Sequence, residues 1–128
     1  MIVGTGIDII DTIRVGKIIK NFGKKFINRC FVENEIKTSN LEKNKIHFFA
    51  KRFAAKEACS KALSTGLAYG ITWKDIEVFN DKFGKPNIIL HNKALKLINK
   101  ITYNNYKIHL SLSDEKNYAI ASVIIQRI

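Results

Sequence analysis

The sequence is poor in the residues that build disulfide scaffolds, interdomain linkers and membrane spans. Its two cysteines, Cys30 and Cys59, have no close spacing, whereas a disulfide-rich secreted domain or a zinc site would show denser or paired cysteines. It has one proline and no proline- or serine-rich tract, so one domain is expected over residues 1–128. No apolar run approaches the ~18 residues of a membrane-spanning helix, and the first residues lack the basic region of a signal peptide. We therefore expect a soluble, cytoplasmic, single-domain protein with reduced cysteines.

Acidic residues are also scarce, with 11 Asp and Glu against 22 Lys and Arg, which gives a net charge of +11. Such an excess favours an acidic partner: nucleic acid, an anionic membrane surface, an acidic protein or a phosphorylated ligand. Composition does not choose among these partners, and a lysine-biased composition without partner meaning would look the same. Hydrophobic residues at 46% and charged residues at 26% are typical of a globular domain.

The hydrophobic pattern predicts an α+β fold with a mainly antiparallel sheet packed against a long helix. Residues 2–10 are β-branched and apolar around two glycines, which predicts a buried strand. Asp11 and Thr12 are candidate N-caps for a helix that runs to about Phe22, with Gly23 at its end. The other predicted elements are short helical pieces within 24–41, a long helix 41–63, a hairpin of strands 75–79 and 87–90, a helix 91–101, and strands 108–113 and 118–125.

Asp8 is an acidic residue inside the otherwise apolar first strand. A buried carboxylate is costly unless it is paired or binds a metal ion. Gly4 and Gly6 beside it allow a backbone or a ligand to approach closely. Asp8 equally suits a cap for the turn after the strand, and this segment alone leaves both interpretations open.

The long helix carries a second group of polar residues. At about 100° per residue, an apolar face lies opposite an arc of roughly 140° that contains Lys56, Glu57, Ser60 and Lys61. Arg52 lies beside this arc, one turn before Lys56. One interpretation is a solvated face with a weak i,i+4 ion pair between Glu57 and Lys61. The other is a phosphate-binding face, because phosphate ligands favour clustered amines.

The long helix ends at the small residues Ser64, Thr65 and Gly66. These residues give a phosphorylated ligand access to the backbone. They do not form a Walker loop, because that loop precedes its helix and this stretch follows one.

The strand predicted at 108–113 alternates polar and apolar side chains, so His109, Ser111 and Ser113 share one face. That face either lines a ligand or is the wet side of an antiparallel sheet. A serine hydrolase is not indicated, because a nucleophile must lie beside an oriented base and the sequence has no GxSxG elbow.

Taken together, four segments resemble the short phosphopantetheinyl transferases, the holo-acyl-carrier-protein synthase family: GTGIDII, RFAAKEACSKALSTG, WKDIEVFNDKFGKP and HLSLSDEKNYAIASVI. The resemblance runs from residue 1 to about residue 126 and is least distinctive over 22–45. It implies a compact α+β domain assembled as a homotrimer, with active sites between neighbouring subunits. It also implies Mg²⁺, coenzyme A and an acyl carrier protein. In the implied reaction a carrier-protein serine receives the 4′-phosphopantetheine arm of coenzyme A and 3′,5′-ADP leaves, in support of fatty acid synthesis.

The resemblance also implies roles for individual residues. Asp8 and Glu57 resemble the magnesium ligands, and Lys61 resembles the lysine beside the reacting phosphates. Glu57 and Lys61 are therefore the catalytic candidates, although a metal-bound water is a third candidate for the base. Arg14 in the first helix is expected to meet the carrier protein. The nucleotide and its 3′-phosphate are expected at Arg52, Lys56, Ser60, Ser64 and Gly66.

The sequence departs from the family pattern at two positions. The segment usually written HxSxSH ends here with Asp114, so the phosphate contact of the second histidine is not expected. Ser64 stands where glycine is common.

Two other functions remain as alternatives: a small basic RNA-binding protein and a coenzyme A-binding homologue without turnover. RNA binding would require aromatic side chains beside basic ones on a sheet face. The resemblance instead predicts neither a nucleic acid nor a membrane partner.

Overall fold

The computed structural model describes residues 1–64 and 70–128, which form five α-helices and five strands. In chain order these are β1 (Ile2–Asp11), α1 (Thr12–Phe22), α2 (Lys24–Cys30), α3 (Glu33–Ser39), α4 (Lys45–Ala62), β2 (Ile76–Asn80), β3 (Pro86–Leu90), α5 (Asn92–Thr102), β4 (Tyr106–Glu115) and β5 (Tyr118–Arg127). A short 3-10 helix, Trp73–Asp75, precedes β2. Every strand pairing in these residues is antiparallel, so the predicted α+β class is confirmed.

The main sheet has the strand order β1-β5-β4, and β2 and β3 form a separate hairpin. The long helix α4 packs on one face of the main sheet, and the principal core lies between them. A second core, rich in aromatic rings, lies where α4 meets α2 and the 3-10 helix. Cys59 is buried in the first core and Cys30 in the second, and both thiols are free.

The bounds of α1 follow the predicted capping residues. The carboxylate of Asp11 accepts hydrogen bonds from the N–H groups of Ile13 (2.8 Å) and Arg14 (3.4 Å), so Asp11 is the N-cap. Gly23 has φ +50° and donates its N–H to the carbonyl of Ile19 at 2.7 Å. Because glycine has no Cβ, it ends a helix in this conformation without strain.

The prediction of a buried first strand is wrong, because α4 covers only one face of β1 and the other face is exposed. Asp8 is 9% exposed and faces α4, whereas Ile7 and Ile9 are 65% and 60% exposed on the opposite face. No element of the described residues covers that opposite face. The apolar residues of β1 therefore lie on two different surfaces, one against α4 and the other exposed.

The remaining predicted bounds differ from the structure by one or two residues, except at the start of α4. That helix begins at Lys45 rather than at residue 41, because the side chain of Asn44 accepts the N–H of His47 at 3.1 Å and caps the helix there. The short helices expected within 24–41 are α2 and α3. Within the described residues, no helix combines the length and the apolar character that crossing a membrane requires.

Candidate active site

Two glycines allow β1 to lie directly on the backbone of α4. A Cβ built at Gly6 would collide with the carbonyl oxygen of Ala58, and one at Gly4 would collide with that of Ala62. A side chain at either position would push the strand away from the helix, so these glycines set the close approach of the two elements. The approach brings Asp8, two residues after Gly6, against the last turns of α4.

Asp8 forms an ion pair with Lys61 of α4. The Nζ atom of Lys61 donates to Oδ1 of Asp8 at 3.1 Å and to the carbonyl oxygen of Ile7 at 3.0 Å. The side chain of Lys61 is 54% exposed, so its ammonium group remains open to a ligand. The second carboxylate oxygen of Asp8, Oδ2, is buried and has no hydrogen-bond partner among the described residues.

Glu57, on α4, lies beside Asp8 of β1. Burial and the neighbouring carboxylate of Asp8 raise the pKa of Glu57 to about 7, although Lys61 and Arg14 oppose the shift. Two carboxylates this close repel each other when both are ionised.

The donor set of Asp8 and Glu57 fits Mg²⁺. A divalent cation would remove the repulsion between the carboxylates and would give the orphaned Oδ2 of Asp8 a partner. Within the described residues, no group of three or more His, Cys, Asp and Glu side chains is arranged to hold a metal ion, and these two carboxylates are the candidate ligands. Two carboxylates are a usual protein contribution to a magnesium site.

The alternatives to metal binding were a Glu57–Lys61 ion pair and a capping role for Asp8, and the described residues contain neither. Lys61 pairs with Asp8, and no ion pair joins it to Glu57 in the part of the chain that the structure describes. The turn after β1 is capped by Asp11, three residues beyond Asp8.

The prediction that Lys56 lies on a solvent-facing arc of α4 is wrong. This side chain is fully buried, because α3, the 3-10 helix and β2 pack around it. Its Nζ donates to Oε1 of Glu35 at 2.7 Å and to the carbonyl oxygens of Trp73 at 3.0 Å and Ile76 at 2.5 Å. Burial lowers the pKa of Lys56, and the carboxylate of Glu35 opposes that shift. All three donors of the ammonium group are therefore occupied within the protomer.

The same prediction is wrong for Ser60, whose exposed fraction is 3%. Its hydroxyl donates to the backbone carbonyl of Glu57, one turn earlier in the same helix, at 2.8 Å. The hydroxyl proton is thus satisfied by α4 itself.

Arg52 is buried, at 4% exposure, but its guanidinium group is not satisfied. The group lies 4.3 Å from the centre of the Phe48 ring, and its Nε and Nη1 atoms have no hydrogen-bond partner among the described residues. Burial lowers the pKa of Arg52. A buried guanidinium with free donors is costly unless an anion binds it, so this residue keeps its predicted capacity for a phosphate.

The residues predicted after α4 are only partly described. Ser64 is exposed, borders a cavity of about 540 Å³ with three lysines of α5, and has φ +62°. Glycine adopts this left-handed conformation more readily than serine, which agrees with glycine being common there in the family that the sequence resembles. Gly66 lies outside the described residues.

Arg14 is exposed in the first turn of α1. It borders a cavity of about 280 Å³ whose lining includes Glu57 and Phe53 of α4. The residue predicted to meet the carrier protein and a predicted metal ligand therefore border the same cavity.

The structure brings together one group that sequence reasoning missed. Oδ2 of Asp114 lies 3.1 Å from Nδ1 of His47, and Oδ1 lies 3.8 Å from Nζ of Lys51. The i,i+4 spacing places His47 and Lys51 on one face of α4. No sequence signal links either residue to Asp114, because only the tertiary fold brings β4 against this end of the helix.

The outer face of the main sheet, away from α4, carries both apolar and polar side chains. Four isoleucines are exposed there: Ile7 at 65%, Ile9 at 60%, Ile120 at 37% and Ile124 at 37%. The predicted alternation of β4 is confirmed. His109 points to this outer face and its Nε2 lies 2.9 Å from Oε1 of Gln126, whereas Leu110 is buried towards α4.

The aromatic rings do not support the RNA-binding alternative. Six of them form the second core rather than a platform on a sheet: Phe26, Phe31, Phe48, Phe49, Phe53 and Trp73. Rings packed against one another in this way are not available to stack on bases.

Comparison with known proteins agrees with the fold and identifies the family. Residues 4–123 match a family model described as the 4'-phosphopantetheinyl transferase superfamily. The holo-[acyl-carrier-protein] synthase of Vibrio cholerae serotype O1 (strain M66-2) is 46% identical over 127 residues, which cover 99% of each chain. A crystal structure of the Bacillus anthracis synthase in complex with coenzyme A (3′,5′-ADP) has a TM-score of 0.80 at 39% identity and covers 98% of this chain and 96% of its own. The synthase from Neisseria meningitidis has a TM-score of 0.87 at 32% identity, with 98% and 99% of the two chains covered.

Proposed function

The chain belongs to the 4′-phosphopantetheinyl transferase superfamily, and we propose that it transfers the 4′-phosphopantetheine group of coenzyme A to a serine of apo-acyl carrier protein. The products are holo-acyl carrier protein and 3′,5′-ADP, and the reaction would support fatty acid synthesis in the cytoplasm. The observation that carries the proposal is the cluster of Asp8, Glu57 and Lys61, which forms where β1 lies on α4. Two carboxylates beside an open ammonium group suit chemistry at a pyrophosphate.

In the proposed reaction the serine hydroxyl oxygen bonds to the phosphorus on the pantetheine side of coenzyme A. The bond from that phosphorus to the bridging oxygen breaks, and 3′,5′-ADP leaves with that oxygen. Lys61 would stabilise the charge on the phosphates, because its ammonium group is held by Asp8 and Ile7 and keeps a third donor towards solvent.

Asp8 and Glu57 would hold Mg²⁺, for which the free Oδ2 of Asp8 and the crowding of the two carboxylates are the support. When bound, Mg²⁺ neutralises phosphate oxygens and bridges them. Glu57 is also a candidate to accept the serine proton; its pKa of about 7 applies to the metal-free chain, and a bound Mg²⁺ would lower it.

For the nucleotide half of coenzyme A we propose Arg52, Ser64 and Gly66. The support is the unsatisfied guanidinium of Arg52 and the exposure of Ser64. We do not extend this proposal to Lys56 or Ser60, whose polar atoms are occupied within the protomer.

We propose that the carrier protein docks at Arg14. Its position beside the cavity that Glu57 also borders would bring an incoming serine towards the cluster. Carrier proteins are typically acidic, so a net charge of +11 would attract them and an exposed arginine would orient them.

We also propose a homotrimer in which neighbouring protomers share each active site. The four exposed isoleucines on the outer face of the main sheet form an apolar surface of the kind that subunits bury. In addition, Glu57 and His47 are ten residues apart on α4, which separates the magnesium and Asp114 ends of the helix by about 15 Å. One protomer therefore carries two separate polar regions. In a trimer, the Glu57 end of α4 in one protomer would meet the Asp114 region of its neighbour.

Incubation of the protein with coenzyme A, Mg²⁺ and apo-acyl carrier protein tests the function directly. We expect mass spectrometry to detect one added phosphopantetheine on the carrier protein, and no addition when the carrier serine is replaced by alanine. Absence of the added mass with wild-type carrier protein at saturating coenzyme A and Mg²⁺ would contradict the proposed activity.

Light scattering tests the assembly. We expect three times the protomer mass for the wild type, and a smaller species with reduced transfer for Ile7→Glu on the outer sheet face. Phe83→Glu is the matched control, because Phe83 is 83% exposed in the β2–β3 turn, away from that face. A wild-type protein that is monomeric at micromolar concentration and fully active would exclude the shared site.

A further inference from the structure

We propose that His47, held by Asp114, donates a hydrogen bond from Nε2 to a phosphate group of coenzyme A and so takes the place of the histidine that the HxSxS segment lacks. The inference rests on the proposed function, since it presumes coenzyme A as the ligand. It concerns a residue of α4 that no sequence motif singled out.

The first observation is that Asp114 is paired rather than free. Its two carboxylate oxygens face Nδ1 of His47 at 3.1 Å and Nζ of Lys51 at 3.8 Å. A free carboxylate would repel a phosphate, but one that is matched by two basic side chains does not. The replacement of histidine by aspartate therefore leaves the region able to bind an anion.

The second observation is the orientation that this pairing imposes on the imidazole. With Nδ1 directed at the carboxylate, Nε2 has no hydrogen-bond partner among the described residues. The side chain of His47 is 23% exposed and borders a cavity of about 570 Å³. A carboxylate that orients one ring nitrogen and leaves the other for a ligand is a recurrent arrangement of histidine in proteins.

The third observation is independent of the imidazole. A neighbouring cavity of about 340 Å³ shares three lining residues with the first one, Glu42, Phe48 and Lys51, and is also bordered by Arg52. Arg52 is 4% exposed, and its Nε and Nη1 atoms lack partners in the described part of the chain. A phosphate accepts several charge-assisted hydrogen bonds and would satisfy such a guanidinium.

The charges that border the two cavities come from three parts of the chain. Lys43 and Glu42 precede α4, Lys51 and Arg52 lie on α4, and Asp114 lies on β4. Three of these five groups are cationic, and a protonated His47 adds a fourth positive charge against two carboxylates. The region is therefore suited to a dianionic phosphate monoester.

Binding would change the protonation of His47. A phosphate accepts from Nε2 while Nδ1 continues to donate to Asp114, so the bound imidazole carries both protons. Wherever the free imidazole carries a single proton, binding of coenzyme A therefore takes up a second proton from the buffer.

Calorimetry with coenzyme A in two buffers of different ionisation enthalpy tests the inference. We expect proton uptake at pH 8 for the wild type. We expect His47→Ala to bind coenzyme A about 10-fold more weakly, the size of one charge-assisted hydrogen bond, and to lose the uptake. Asp114→Asn should lower the affinity less and reduce the uptake.

His91→Ala is the matched control, because Nε2 of His91 lies 2.9 Å from Oε1 of Glu77 in a similar pair outside both cavities. It should leave affinity and proton uptake unchanged. Repetition with dephospho-coenzyme A identifies the phosphate: an effect of His47→Ala that disappears assigns the 3′-phosphate, and one that persists assigns the pyrophosphate.

If the pair of His47 and Asp114 only links α4 to β4, a different result is expected. In that case His47→Ala would lower the melting temperature but leave coenzyme A affinity and proton uptake at wild-type values, and the inference would be wrong. A wild-type protein that binds no coenzyme A would instead contradict the proposed function itself, which separates the two failures.

Discussion

Lys56 and Lys61 lie five residues apart on the same helix, yet their surroundings differ in almost every physical respect. Lys56 is fully buried and donates to Glu35 and to two backbone carbonyls. Lys61 is 54% exposed and donates to one carboxylate and one carbonyl at the rim of the site. The comparison shows that the elements packed around a position on α4, rather than its residue type, decide between a structural and a ligand-facing role.

The two ion pairs also differ in what their loss would cost. A buried pair holds charges that have left water, so removal of one partner leaves the other uncompensated. The Lys61 pair is screened by water on its lysine side only, because its Asp8 carboxylate is buried, so it should contribute less to stability than a fully buried pair. The Lys56 pair should therefore govern folding and the Lys61 pair should govern activity.

The largest expected effect is on stability. Lys56→Met should lower the free energy of unfolding by about 3–5 kcal/mol, since Glu35 would remain buried and unpaired. Lys61→Met should lower it by a smaller amount, because the ammonium group that is lost is half exposed and water can reach the place that it leaves. Urea unfolding of both variants measures the difference. The double variant Glu35→Gln, Lys56→Met should recover part of the loss, and equal stability of the two lysine variants would refute the comparison.

The next effect is on catalysis. Asp8→Asn and Glu57→Gln should each lower turnover by about 10²–10³-fold, the cost of removing one preorganised charge, and should raise the Mg²⁺ concentration needed for activity. Their thermal unfolding should remain cooperative. The control is Glu33→Gln, an acid of α3 in an exposed pair with Lys37. Wild-type Mg²⁺ dependence in both site variants would end the assignment of these residues as metal ligands.

A smaller effect is expected at the docking surface. Arg14→Glu should lower kcat/KM for the carrier protein by about 10-fold and weaken its salt dependence, because steering charges act mainly on association. Coenzyme A affinity should stay close to the wild-type value. Lys82→Glu in the exposed β2–β3 turn makes the same change in net charge and is the control. Equal losses for carrier protein and coenzyme A would indicate a structural role for Arg14.

The smallest effect concerns the pH dependence of stability without Mg²⁺. The pKa of Glu57 is about 7 in the folded chain against an ordinary value of 4.5. The folded state therefore holds this proton more tightly than the unfolded state, so the stabilising contribution is complete below pH 4.5 and is lost as the pH rises through 7.

Glu57→Gln should flatten this dependence and raise the melting temperature at pH 8 by about 1–3 °C, after allowance for solvent screening. Thermal melts in chelator across this pH range measure it. Added Mg²⁺ should raise the melting temperature of the wild type more than that of the variant. A variant that keeps the wild-type slope between pH 4.5 and 7 would show that Glu57 does not cause it.

Sequence patterns predicted the bounds of α1 correctly but not the surroundings of Lys56, and the reason is physical. The bounds of α1 were predicted because Asp11 and Gly23 act on backbone groups within four residues of themselves. The exposure of Lys56 was predicted wrongly, since its acceptors lie 17 to 21 residues away along the chain. Helical periodicity places a side chain on a face of α4 but does not indicate which element will cover that face.

The sequence by itself determined the order and type of the elements, the family, and the motif residues Asp8, Glu57 and Lys61, because local propensity and motif spacing are written along the chain. Only the tertiary structure decided that glycines at positions 4 and 6 bring Asp8 to α4, that Lys56 is buried, and that Asp114 meets His47. Each of these depends on contacts between distant segments, and packing selects such contacts from the shape of the whole core.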